Sequence, residues 1–281
     1  MSKFTLNEAD QRERERRVDE YLKKERLFDV RHFGCRHLGD CKSSCAQGID
    51  FTEGQLHHIG AHYSLLRDDE PFRIVVVGEQ YGGEQPTGLD ERREVIRDCH
   101  RFKPNSGGKK SDKSDKNNPH MTGTLLALRF LFEKPFPLPF AAEDSNLDVG
   151  GNAVSIFDCF ALTNYLLCSA NAPGKKSTEA TDAMWENCRE HIATVLRILQ
   201  PTHLVLQGAS LASYLAPVTG PLQKDECTTV SAFGVETHVF YFNHPSAPSK
   251  STGWGMVSEA SDSEDSYLRR VVEPVIKSAV K

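Results

Sequence analysis

The sequence predicts a doubly wound α/β sandwich built on a parallel sheet. Two observations carry this. Short apolar runs alternate with stretches of helical periodicity, and four of those runs end abruptly in polar, chemically capable loops. A closed barrel would need about eight strand–helix units, roughly twice as many as the chain offers. The four runs are Arg73–Val77, opening into Gly78-Glu79-Gln80-Tyr81-Gly82-Gly83; Ser155–Leu162, opening into Thr163-Asn164-Tyr165-Leu166-Leu167-Cys168; His203–Leu206, ending at Gln207-Gly208; and His238–Phe242, ending at Asn243-His244-Pro245-Ser246. In a parallel sheet covered by helices such ends align along one edge, where ligands of open α/β folds bind. Glu79, Asn164 and His244 are expected to converge there.

The elements follow in order. A charged helix is predicted from about Asn7 to Leu27, with Val18, Tyr21, Leu22 and Leu27 as a thin apolar face. A cysteine- and glycine-rich segment, Cys35 to Gly48, is too poor in apolar residues to fold by itself. A second helix is predicted over Thr52–Leu66, ahead of the first sheet strand. Residues Arg101–Asn118 are rich in Lys, Ser, Gly and Asp and read as a surface insertion. Helical periodicity resumes at Thr122–Phe132. Trp185, Cys188, Ile192, Val195, Leu196 and Leu199 then recur at three- and four-residue steps, predicting an amphipathic helix over Thr181–Leu199 that Pro201 stops. A short helix around Leu211–Leu215 and a C-terminal helix over Glu264–Ser278 complete the pattern. This divides the chain into an N-terminal helical arm with the cysteine-rich segment (1–66) and an α/β/α domain (67–281) with an insertion at about 86–118.

With 281 residues the chain can bury a full core, and its net charge of −5 provides no global attraction to nucleic acid. Any DNA contact must come from a local basic patch. The first residues are dense in Glu, Arg and Lys, and no apolar run reaches the length of a membrane span, so neither a secretion signal nor membrane contact is expected. Eight cysteines without such a signal suggest a reducing cytoplasm, where clustered thiols more often hold a metal or cluster than form disulfides.

Together these strand-end motifs resemble the uracil-DNA glycosylase superfamily, and its iron–sulfur branch most. Gly78-Glu79-Gln80-Tyr81-Gly82 stands where that branch has Gly-Glu-Ala-Pro-Gly. Thr163-Asn164 is followed by Cys168, a further cysteine (Cys188) opens a helix running to Pro201 and the His203–Gly208 strand, and His244-Pro245-Ser246 closes the set. The resemblance spans roughly Cys35 to Ser246. It implies a three-layer α/β/α sandwich with a central four-stranded parallel sheet. It departs from the family at Gln80 and Tyr81, which replace small residues. It departs again at Pro119-His120-Met121-Thr122-Gly123, where His120 replaces the Phe that stacks on the flipped base. The insertion at about 86–118 also separates this stretch from the Glu79 loop.

Hydrolysis of an N-glycosidic bond passes through an oxocarbenium-like sugar while negative charge builds on the departing base. A carboxylate suits the sugar and a hydrogen-bond donor suits the base, so Glu79 and His244 are the candidate catalytic pair. Asn164 offers a donor and an acceptor to a base edge. The nucleotide must leave the duplex to be reached, and Tyr81, Gln80 and His120 are the further base-binding candidates. Ser246, Lys250, Trp254, Lys109 and Lys110 are candidates for DNA contact, Trp254 also as a wedge after His244. Blander readings stand beside these: Glu79 as a helix-capping acid, Asn164 as a turn residue, Tyr81 and Trp254 as packing residues. By resemblance Cys168 and Cys188 are the late ligands of a [4Fe–4S] cluster, with zinc the alternative. Cys41 and Cys45 are the favoured early ligands and Cys35 the spare, since the spacing C-x5-C-x3-C departs from the family's C-x-x-C. Cys99, Cys159 and Cys227 read as ordinary buried thiols.

The function implied is a monofunctional DNA glycosylase acting on a flipped-out non-standard base. The departures favour a bulky modified cytosine, such as glucosylated hydroxymethylcytosine of phage DNA, which would make it an antiviral enzyme. Uracil excision in repair and a non-catalytic DNA-binding protein are the alternatives. DNA is the expected partner, and no obligate protein partner is inferred.

Overall fold

The computed structural model describes residues 4–27, 33–54, 57–80, 96, 119–134, 146–173, 179–247, 252–255 and 264–280. The chain opens with β1 (Phe4–Leu6) and α1 (Glu8–Lys24), whose start is capped by the Asn7 side chain accepting from the Asp10 N–H. Then come α2 (Leu38–Ser44), β2 (Asp50–Glu53), β3 (His58–Ile59), β4 (Leu65–Arg67), β5 (Glu70–Phe72) and β6 (Ile74–Gly78). They are followed by α3 (Pro119–Leu131), β7 (Asn146–Val149), β8 (Asn152–Ser155), β9 (Ala161–Asn164) and β10 (Cys168–Asn171). The C-terminal part holds α4 (Asp182–Leu199), β11 (His203–Gln207), α5 (Leu211–Thr219), β12 (Cys227–Val230) and β13 (Thr237–Phe242). A π-helical turn, Leu268–Val272, leads into α6 (Glu273–Ala279).

The central sheet has six strands in the order β12-β13-β11-β6-β9-β3. Its inner four, β13, β11, β6 and β9, are parallel to one another, and the two edge strands run antiparallel. Alternate side chains serve two separate cores. Ile74, Val76, Val205, Phe240 and Phe242 face the core that α3 and α6 close with Leu126, Phe130 and Ile276. Val75, Val77, Leu204, Leu206 and Val239 face the other, closed by Val18 and Leu22 of α1, Ile192 and Leu196 of α4, and Leu211 and Leu215 of α5. Helices on both faces of a parallel sheet make the expected α/β layering.

Two expectations are corrected. The predicted helix over Thr52–Leu66 is three short strands, β2, β3 and the start of β4. Gly54 takes φ +89, and Gly60 sits where a Cβ would lie 2.2 Å from the Asp158 carbonyl, so this stretch is pinned flat against the chain. The predicted strand Ser155–Leu162 is broken: the Ser155 hydroxyl accepts from the Phe157 N–H and caps a 3-10 turn, sending β8 and β9 to different sheets. The N-terminal segment is joined to the rest of the chain by strand pairing and helix packing. β1 pairs with both β4 and β7, β3 extends the central sheet beside β9, and α1 packs on α4. The expected insertion at 86–118 lies outside the described residues apart from Ile96, which is buried. No described helix is long and apolar enough to cross a membrane.

Candidate active site

The four parallel strands end level. Gly78 is in register with Asn164 of β9 and with Gln207 of β11, and Gln207 is in register with Phe242 of β13. The residues that follow these positions therefore share one edge. Backbone bonds tie the loops together there: the Tyr165 N–H donates to Gly78 O at 2.8 Å and the Leu166 N–H to Glu79 O at 2.9 Å.

Glu79 lies against Gly208. A Cβ at Gly208 would fall 2.6 Å from both Cγ and Oε1 of the glutamate, so the glycine is what admits the carboxyl group. Oε1 also accepts the Ser210 N–H at 3.3 Å, at the start of α5. The capping reading of Glu79 is thus realised on one oxygen, and it orients the carboxylate. Over Gly78, Asn164 and His120 meet: a Cβ there would lie 2.9 Å from Asn164 Oδ1 and 3.0 Å from His120 Nε2. Asn164 is buried at the sheet edge. His120, in the first turn of α3, stacks on His244 with ring centroids 5.7 Å apart and planes 19° from parallel.

His244 is held by its own loop. Its Nδ1 accepts the Ser246 N–H at 3.2 Å and lies 2.7 Å from Ser246 Oγ. A backbone N–H can only donate, so the neutral ring carries its proton on Nε2. Burial pushes the imidazole pKa below its ordinary value, against the opposing pull of the Glu79 carboxylate. The edge thus carries a carboxylate, an amide and an imidazole whose proton sits on Nε2.

Other candidates are placed elsewhere. Gln80 turns away from this group: Nε2 donates to Asn171 Oδ1 at 2.9 Å and Oε1 accepts the Ala170 N–H at 3.4 Å, which clamps the loop to β10. Trp254 is 1 % exposed and donates from Nε1 to Asn243 O at 2.7 Å. Its expected role as a DNA contact or wedge is corrected to an anchor of the His244 loop, because the indole is enclosed by the core. Tyr81, Lys109, Lys110 and Lys250 lie outside the described residues. Sequence reasoning missed Gly208, whose significance depends on a side chain 129 positions earlier meeting it across the sheet. It also missed Thr124, whose hydroxyl joins the buried Gln207 amide to the His120 carbonyl.

The cysteines form a second centre behind the sheet. Cys41, Cys168 and Cys188 are buried in one apolar cluster, with Cys35 and Cys45 packed against it. Burial pushes the Cys188 thiol up to about 12, and the neighbouring Cys41 and Cys35 thiols push it the same way. Cys168 is raised by burial and then by Cys188, Cys41 and Cys35. Cys45 is raised by burial and Cys41, and its Sγ points to the Cys41 carbonyl at 3.4 Å and Met184 Sδ at 3.8 Å. Two nitrogen groups approach the sulfurs: Asn187 Nδ2 donates to Cys41 Sγ at 3.5 Å, and His191 Nε2 lies 3.6 Å from Cys35 Sγ while its Nδ1 is 2.5 Å from Tyr21 Oη. Among the described residues no three His, Cys, Asp or Glu side chains form a ready chelate for a single ion. A nest of buried and half-buried thiols, with an amide N–H donor on Cys41 and an imidazole nitrogen beside Cys35, has the chemistry to hold a group that neutralises thiolate charge. Cys159 is buried and Cys227 half-buried, as ordinary thiols; Cys99 lies outside the described residues.

No family model matches the chain, and no curated protein matches it.

Proposed function

We propose that the protein is a monofunctional DNA glycosylase that hydrolyses the N-glycosidic bond of a flipped-out, modified base and leaves an abasic site. The observation that supports this reading is the level strand edge carrying Glu79, Asn164 and His244, with His120 of α3 near Asn164 and stacked on His244. Water attacks C1′ of the sugar, the bond to the base breaks with its electron pair leaving on the base, and the proton the water loses passes to the Glu79 carboxylate and then to the departed base. The Glu79 carboxylate faces the cationic sugar and the water. The Nε2–H of His244 donates to the base carbonyl as charge develops there, which a neutral imidazole does without giving up its proton beforehand. Asn164 reads the base edge. No lysine is placed by these motifs to form a Schiff base, so water is the nucleophile and the strand is left intact.

His120 favours a bulky, polar base over uracil. An imidazole beside Asn164 makes this position more polar than a phenyl ring would, which suits a base carrying a polar substituent, such as the hydroxymethyl or sugar group of a modified phage cytosine. Uracil excision remains the second reading, favoured by Asn164, whose amide complements the donor and acceptor of a uracil edge. Cys41, Cys168 and Cys188 would hold a [4Fe–4S] cluster, with Cys35 as the fourth ligand in place of Cys45, whose Sγ turns to the Cys41 carbonyl and Met184 while Cys35 acts on Cys168 and Cys188. When bound it supplies a staple between the N-terminal segment and α4. The test is base release, read by mass spectrometry, from DNA carrying glucosylated hydroxymethylcytosine, hydroxymethylcytosine or uracil. A freed modified base, abolished by Glu79→Gln, supports the proposal. Free uracil alone selects the repair reading, and no base from any substrate selects a non-catalytic DNA-binding protein.

A further inference from the structure

His244 stands two residues beyond the end of β13, so its placement depends on the backbone of Asn243. Both polar groups of that backbone are held by side chains from later in the chain. The Asn243 N–H donates to Tyr267 Oη at 3.2 Å, and its carbonyl accepts from Trp254 Nε1 at 2.7 Å. The Tyr267 hydroxyl gives its own proton to the Asp225 carboxylate, so its lone pairs are turned to Asn243. Pro245 is seated in the same seam. Its carbonyl accepts from the N–H groups of Trp254 and Gly255 at 3.2 and 2.9 Å, and its ring occupies the space where a Cβ on Gly123 would come within 2.7 Å. Gly255 in turn lies so close to Pro119 that a Cβ would fall 1.8 Å from the Pro119 carbonyl. One seam therefore fixes the His244 loop and the start of α3, which carries the stacked His120.

We infer that Tyr267 is a positioning residue for His244: its hydroxyl, oriented by Asp225, holds the Asn243 backbone so that the Ser246 N–H meets Nδ1 and the ring proton stays on Nε2. The chemistry this serves rests on the glycosylase reading, but the ring state is readable without it. Among the described residues, the Glu79 carboxylate, the His120 ring and Ser246 act on the His244 ring. None of them touches Tyr267 in the interactions above, so a change at the tyrosine reaches the imidazole through the Asn243 backbone.

The experiment is nitrogen-detected imidazole NMR on the full chain, with His244 picked out from the 11 histidines by subtracting the spectrum of His244→Gln. Wild type should show one tautomer, protonated on Nε2. Tyr267→Phe removes the acceptor and keeps the ring, and should give a mixed-tautomer signal. Single-turnover base release, on whichever substrate wild type cleaves, should fall about tenfold with KM little changed. Asp225→Gly is the second variant: residue 225 sits at φ +64, which suits glycine, and loss of the carboxylate frees the tyrosine hydroxyl to rotate its proton towards Asn243. It should reproduce the mixed signal. A wild-type His244 spectrum in a folded Tyr267→Phe or Asp225→Gly protein overturns the inference. A mixed signal in a protein that releases no base at all keeps it and removes the glycosylase reading instead.

Discussion

Glu79 owes its position to a missing side chain. Gly208 admits the carboxyl group, and the Ser210 N–H turns one oxygen. Under the proposed chemistry Glu79→Gln should cut base release at least about 100-fold while leaving thermal melting unchanged, since an amide keeps the shape and loses the charge. Gly208→Ala keeps every proposed catalytic residue but displaces the Glu79 carboxylate, and a fall of about tenfold or more is expected in the same assay. Wild-type rates in Gly208→Ala would mean that the carboxylate is not oriented from this side. Glu79, Asn164 and His244 were legible because an apolar run that stops at a polar residue marks a strand end on its own. The hydrogen bonds of Gln80 to Asn171 and Ala170 and of Trp254 to Asn243 were not legible, because tertiary contacts choose those partners.

Among the elements, α4 carries the most chemistry. Thr181 caps it, its apolar face was plain from residue spacing, and Asn187, Cys188 and His191 project towards α2 and the cysteine segment. Which early cysteines share that space was not legible, because Cys35 and Cys45 flank the short helix α2 and its seating on α4 decides between them. Cys35→Ser should abolish iron and acid-labile sulfide in the purified protein, whereas Cys45→Ser should retain both along with absorbance in the visible range. The reverse result would restore Cys45 as the ligand. The stretch 52–66 was misread for a related reason. Its residue types allow a helix, but Gly54 and Gly60 are committed to an extended path by neighbours far along the chain, a tertiary override of local preference.

At the scale of the molecule, the N-terminal helix is fastened to the sheet by buried polar groups. Arg14 donates from Nη1 to the Ile198 carbonyl at 2.5 Å and from Nη2 to Gln200 Oε1 at 2.7 Å, beside Asp10, while Arg73 donates to the Gln200 carbonyl at 2.7 Å. Arg14→Met should lower the urea midpoint by about 2–4 kcal/mol of stability with the slope unchanged, because the carbonyl and amide oxygens stay buried without their donor. At the far end of β11, burial, with His238 and Arg67 nearby, depresses His203 from 6.5 to about 3. Between these values the unfolded chain binds a proton that the folded chain refuses. Its contribution is therefore complete above pH 6.5 and lost as pH falls towards 3, by a few kcal/mol. His203→Phe, which keeps a ring among Phe72 and Phe240, should flatten melting temperature against pH across that window; an unchanged slope would assign the acid sensitivity elsewhere.

The order of apolar runs and helical periods determined the layered α/β class, the four parallel strands and the three polar residues at their ends, because strand–helix alternation leaves few ways to bury both faces of a sheet. Only the tertiary structure decided the rest. Register set Gly78, Asn164, Gln207 and Phe242 level. Close backbone approach gave Gly208, Gly123 and Gly255 their roles, and the fold of the C-terminal segment brought Tyr267 and Trp254 onto Asn243. Those are properties of distances between residues remote in sequence, and local pattern carries no information about them.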